Sequence, residues 1–142
     1  VDKPAIQAML KDGVAILSGD LFMLGEVVDG IKRPITDAQG NMHFNCFHYT
    51  ADGYRMQDAA LLWQAAQRMG SECTIWAEGA AARAVACALP LLTGVKAAKL
   101  EAEALNIQGN AAYMEHFNVP GIMLVGGVEG CLKLADCPVE TF

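Results

Sequence analysis

Three groups of residues have types and spacings suited to chemistry. The first is Ala77-Glu78-Gly79-Ala80-Ala81, inside TIWAEGAAARAVAC (Thr74–Cys87). Thr74, Ile75 and Trp76 read as a short buried strand, the small residues as a tight turn, and the Ala-rich run as a helix. A strand, sharp turn and helix together can present a nucleophile at the carboxyl end of a sheet, on a residue held in a strained conformation. Small neighbours are needed there because helix and strand backbones approach closely. The residue at the centre is Gly79, which has no side chain with which to attack. Glu78 beside it is a candidate acid, base or ligand contact. The plainer alternative is a solvated carboxylate near a helix N-terminus, where negative charge is favoured. The N–H groups of Gly79 and Ala80 are expected to point the same way as Glu78.

The second group is Asp20 and Glu26, which flank DLFMLGE (Asp20–Glu26). Paired carboxylates can exchange protons or hold a cation. For Asp20 the preferred reading is loop-structuring, with its carboxylate bonding the loop's own amides. The third group is His43, Cys46 and His48 in HFNCFH, the one cluster of metal-ligand types. On an extended strand His43 and His48 face opposite sides, and a zinc site wants a fourth ligand and a turn, so no metal is expected. Ser18 and Ser71 are the two serines, one at a strand end and one in a turn, neither on an elbow with a histidine in view. His116 reads as a surface residue. Gly126-Gly127-Val128-Glu129-Gly130 lacks both the G-x-G-x-x-G spacing and a following Lys-Ser/Thr, and reads as a loop, so no cofactor is expected either.

These residues need a scaffold, and the pattern of elements supplies one. Pro4–Lys11 reads as a short helix with Asp2 as its cap and Gly13 at its end. GVAILS (Gly13–Ser18) is a continuous apolar run of the kind buried on both faces of a parallel sheet. Val27–Asn45 holds Gly30, Pro34, Asp37 and Gly40 and reads as a long excursion, followed by alternating aromatic and polar residues to Tyr49, so that residues 27–50 stand apart. Tyr54–Met69 has helical spacing and is stopped by Gly70. Val95–Ile107 favours a helix by propensity, but Lys99, Glu101 and Glu103 alternate with Leu100, Ala102 and Ala104, which predicts a strand. Gly109–Phe117 reads as a short helix or loop, Val128–Ala135 as a helix and Pro138–Phe142 as a strand. Strands alternating with helices predict a mostly parallel α/β sheet with helices on both faces, in one domain or domain portion spanning residues 1–142.

Composition narrows the function. Hydrophobic residues make up 54% and charged residues 18% of the 142. That is apolar for a free-standing domain, and predicts that further polypeptide or a subunit covers part of the surface. The net charge is −6 with ten scattered Lys and Arg, so the basic stripe that nucleic acid requires is missing. No apolar run is long enough to span a bilayer, and no membrane partner is expected. The chain starts on Val1 without a basic-then-apolar leader, and reads as processed or cut from a longer one. Five cysteines at positions 46, 73, 87, 131 and 137 match no zinc or disulfide framework, which favours a reduced protein.

In order along the chain, GVAILSGDLFMLGE (Gly13–Glu26), YRMQDAALLW (Tyr54–Trp63), TIWAEGAAARAVACAL (Thr74–Leu89), FNVPGIM (Phe117–Met123) and LADCPVE (Leu134–Glu140) resemble landmarks of the α/β-hydrolase superfamily. The similarity is closest to its acetyl-xylan-esterase-like and dienelactone-hydrolase-like branch and runs from about residue 10 to the end. It implies a strand ending in an Asp-containing loop, a helix opening with Arg-x-x-Asp (Arg55 to Asp58), then the nucleophile elbow, a Pro-Gly loop and a further strand. It also implies a three-layer fold of which this chain is a part, and an ester or carbohydrate ligand. The branch's G-x-S-x-G is replaced by Ala77-Glu78-Gly79-Ala80-Ala81, and its acid and histidine would fall beyond Phe142. The expectation is an esterase-related domain with a degenerate site that serves as scaffold. The alternatives are an esterase whose catalytic residues lie outside this chain, or a doubly wound ligand-binding module.

Overall fold

A computed structural model describes residues 4–25, 49–70 and 72–142. Helix α1 (Pro4–Lys11) begins on a proline, whose missing N–H costs nothing in a first turn, and none of its residues is buried. Helix α2 (Ala51–Met69) starts three residues earlier than its apolar spacing suggests. The reason is Thr50, whose hydroxyl accepts from the Gly53 N–H at 3.1 Å and caps the first turn. Ala59 and Trp63 mark its buried face, and the Trp63 indole donates to the Thr93 carbonyl at 3.0 Å.

Strand β1 (Thr74–Ala77) leads into helix α3 (Gly79–Ala88). Ala82, Ala84, Val85, Ala86, Cys87 and Ala88 are all buried, so α3 is covered nearly all round. A helix so enclosed is a core helix, and its alanines permit close approach on every side. Pro90 sits in the 3₁₀ turn Leu89–Leu91 that ends it. Strand β2 (Ala97–Leu100) is shorter than the predicted strand, because Ala102–Leu105 turns into a helix, α4. Propensity prevails once the strand has left the sheet. Helix α5 (Gly109–His116), the 3₁₀ turn Ile122–Val125, helix α6 (Gly127–Leu134) and strand β3 (Val139–Thr141) complete the order.

The sheet is parallel throughout, in the order β1-β2-β3, with Ile75 beside Ala98 and Ala98 beside Val139. Ala77, Ala98 and Leu100 point into one core with α3, Phe117 and Val128. Burying Phe117, Leu89, Leu100 and Val128 contributes roughly 1.5–3 kcal/mol each.

Two expectations need correction. Among the described residues the helices cover one face of the sheet, not both. Parallel crossovers are right-handed as a rule, two that step in the same direction carry their helices to the same side, and α3 packs on α6. The other face carries a row formed by Trp76, Lys99 and Glu140, with Trp76 41% exposed and edge-on to Phe142 at 5.3 Å. Lys99 pairs with Glu140 across it at 3.2 Å. The second correction concerns Gly13–Ser18, which is no strand. It has no ladder partner among the described residues, and Val14, Ile16 and Leu17 are 48%, 40% and 44% exposed. An apolar run becomes a strand only where a neighbour pairs with its backbone.

Candidate functional site at the strand–helix turn

The turn after β1 has the geometry that its small residues predict. Glu78 is extended, at φ −128° and ψ 158°, and Gly79 follows at φ +55°. The left-handed region suits glycine, and this sharp reversal lets α3 start directly from the strand. A Cβ at Gly79 would meet nothing within 4 Å, so the position opens to free space. The reversal after β1 is left-handed at Gly79, and glycine places no side chain there.

Sequence reasoning did not single out the residue that braces this turn, Glu101. It stands just past β2, and its N–H donates to the Ala77 carbonyl at 3.1 Å. Its Oε2 accepts from the Gly79 N–H at 2.6 Å. A carboxylate from the adjacent strand thus satisfies an N–H of the first turn of α3, where the helix dipole favours negative charge. The available signal was its place at the end of the alternating run Lys99–Glu103.

Asp20 and Glu78 come together. With Gly19, Leu21, Leu24, Gly25, Ala80 and Ala81 they line a cleft of about 270 Å³ at the carboxyl end of β1. Glu26, His43, Cys46, His48 and Ser71 lie outside the described residues. Ser18 is exposed just before this cleft, and His116 lies at the end of α5 with Glu115 3.8 Å away. Among the described residues no group of three His, Cys, Asp or Glu could hold a metal, and no helix is long and apolar enough to cross a membrane.

The cleft wall 19–25 is held from α2. Phe22 N–H donates to Asp58 Oδ2 at 2.8 Å, and Arg55 Nε donates to the Phe22 carbonyl at 3.0 Å. Arg55 therefore clamps one side of the Phe22 backbone and Asp58 the other. The Phe22 ring packs on Tyr54 at 4.9 Å. This grip maintains a positive φ of 54° at Met23, which a non-glycine residue adopts only when its surroundings enforce it. Asp20 folds against Gly25, where any Cβ would collide with its carboxylate. That contact fits the loop-structuring reading of Asp20.

Asp52 extends the network. It is buried at 7% exposure, takes Arg55 Nη1 at 2.6 Å on one oxygen and accepts from the Asn118 N–H at 2.8 Å on the other. Asp20–Gly25, Arg55–Asp58 and Phe117–Gly121 are thereby joined through three side chains of α2. The glycines of Gly126–Gly130 serve packing. A Cβ at Gly130 would strike the Val125 carbonyl, one at Gly127 would strike the Tyr113 hydroxyl, and that hydroxyl accepts from the Val128 N–H at 2.8 Å. A larger hollow of about 390 Å³ between α4, α5 and α6 shares no residue with the elbow cleft.

The described residues thus form a parallel α/β unit with a sharp strand-to-helix turn at Gly79. Comparison with family models, curated proteins and solved structures finds no match.

Proposed function

We propose that the chain is an α/β-hydrolase-like, esterase-related domain portion whose elbow has lost its nucleophile, and that it acts as a non-catalytic scaffold within a larger assembly. The observation that supports this most is Gly79 at φ +55° with open space where a nucleophile's Cβ would stand. A glycine takes the left-handed conformation without steric cost, and so lets the core helix α3 start directly from β1, of which Ala77 alone is buried. The landmark stretches also converge in space. The Arg55-to-Asp58 pair grips the Asp20–Gly25 loop, which lines the cleft with Glu78 and Ala80. The exposed row of Trp76, Lys99 and Glu140, with Phe142 beside it, supports a partner polypeptide over that face. The test is hydrolysis of p-nitrophenyl acetate by the longest form of the protein. The scaffold reading expects the rate of the heat-denatured control. A faster rate that persists in the Ser18→Ala and Ser71→Ala variants and is blocked by a fluorophosphonate attached outside residues 1–142 would support the working-esterase reading instead.

A second reading is favoured by the cleft itself. A hollow of about 270 Å³ with two carboxylates on its wall fits a small hydroxyl-bearing ligand, such as an acetylated sugar, held at the carboxyl end of a strand. Titration with an acetylated xylo-oligosaccharide should then shift the amide resonances of Leu24 and Ala80. Unmoved resonances would remove this reading and leave the scaffold one standing.

A further inference from the structure

We propose that Cys87 on α3 and Cys131 on α6 form a latent disulfide pair, closed when a low-molecular-weight disulfide oxidises the protein. Both thiols are free, and both lie in the core, at 4% and 5% exposure. They stand on two helices that pack directly on each other. Ala84, Ala86 and Ala88 accompany Cys87 on α3, and α6 carries Gly127 and Gly130. Small residues let two helices approach closely. A disulfide demands that, because it spans only about 4.4–6.8 Å between Cα atoms. Apart from burial, the group that acts most on the Cys87 thiol is Cys131, through both charge and hydrogen-bonding contact.

Cys73 and Cys137 make no such pair. Cys73 precedes β1, Cys137 precedes β3, and β2 lies between these strands. Two strand spacings put the two cysteines roughly 10 Å apart, outside the reach of a disulfide. The Cys73 thiol instead donates to the Gly70 carbonyl at 3.4 Å.

Closed packing keeps an oxidant away from the core pair. Helix α6 buries Gly127, Val128 and Cys131, whereas α3 buries six residues, so α6 is the helix that lifts at lower cost. Lifting it delivers Cys131 to solvent first. The Cys131 thiolate attacks one sulfur of the oxidant, forms a mixed disulfide and releases one small thiolate. In the same open state water restores the ordinary acidity of Cys87. Its thiolate then attacks the Cys131 sulfur of the mixed disulfide, and the second small thiolate leaves. The two protein thiols lose two protons and two electrons, and the oxidant is reduced to two thiols. The new bond staples α3 to α6 and closes a loop of roughly 45 residues.

Oxidised glutathione at pH 8, added to the full chain across a series of sub-denaturing urea concentrations, tests this. Peptide mapping should show glutathione first on Cys131, and then a bond joining Cys87 to Cys131 with the loss of two hydrogens. The melting temperature should rise by roughly 10 °C and return with dithiothreitol. The Cys73→Ala/Cys137→Ala variant should close the same bond, and Cys87→Ala and Cys131→Ala should lack both the bond and the rise. The map on the wild type does not depend on those variants folding. A Cys131 that stays as the glutathione adduct, or a bond that maps to any other pair, would overturn the inference. So would a pair that stays reduced throughout the urea series, or an oxidised protein that melts no higher than the reduced one.

Discussion

Replacing Asp52 with alanine should loosen the cleft wall and the Phe117–Gly121 turn together. The carboxylate is buried at 7% exposure and accepts two hydrogen bonds, from Arg55 at 2.6 Å and from the Asn118 N–H at 2.8 Å. Hydrogen bonds to a charged group contribute about 1.5–3 kcal/mol each. Arg55 retains its bond to the Phe22 carbonyl and some access to water, so the low end applies to that partner. Asp52 also stands in the first turn of α2, where a negative charge adds about 0.3–1 kcal/mol. The sum is about 3 kcal/mol, the lower bound for breaking a buried ion pair by removing one member. For a chain of this length that lowers the melting temperature by about 10 °C. Urea unfolding followed by circular dichroism gives the free energy. Amide hydrogen exchange shows where it is lost, and Phe22 and Asn118, which belong to segments far apart in sequence, should lose protection together. Asp52→Asn keeps the shape and one acceptor, and should cost about half as much. A change for Asp52→Ala below about 0.5 kcal/mol, the range of an ordinary surface substitution, would show that Asp52 does not brace these segments. So would lost protection at only one of the two amides.

Other outcomes follow from single contacts. Gly130→Ala would drive a methyl group into the Val125 carbonyl, and should cost more than about 3 kcal/mol or prevent soluble expression, whereas Gly79→Ala, which meets open space, should cost only the left-handed penalty of about 1–2 kcal/mol. Both are read by chemical denaturation. Burial, and then the neighbouring Cys131 thiol, push the Cys87 thiol far above its ordinary value of 9.0. The unfolded chain therefore releases this proton at a pH where the folded chain keeps it. Stability is fully present below about pH 9 and falls above it, by at most about 1.4 kcal/mol per pH unit for this group. Native Cys87 should correspondingly resist N-ethylmaleimide at pH 8 and react once urea unfolds the protein; modification of the folded form at the unfolded rate would contradict this.

Local pattern was enough where an element supports itself. The helical spacing from Met56 to Met69, the small residues of α3 and the run Val128–Leu134 are legible because their periodicity and caps are local. Asp20 and Glu78 meet in one cleft because Arg55 and Asp58 hold the backbone of Phe22 from α2, not because a strand ends at Ser18. Features that depend on distant partners were not legible. Gly13–Ser18 has the composition of a buried strand, but no ladder forms on it among the described residues. Val95–Ile107 shows two periods, and only pairing with β1 and β3 decides that the strand stops at Leu100. Asp52 looks like a solvated residue in the first turn of a helix, and its burial depends on Asn118, 66 positions away. Glu101 acquires its role from its distance to Gly79, which no spacing in the sequence encodes.

The central claim is that the elbow carries no nucleophile. Fluorophosphonate labelling followed by intact mass, on the longest form of the protein and beside a labelled control esterase, addresses it directly. The mass should be unchanged, because Gly79 cannot form an adduct and neither Ser18 nor Ser71 occupies the position between Glu78 and Ala80. A mass increase of one phosphonyl group, mapped to a serine of this chain, would contradict it.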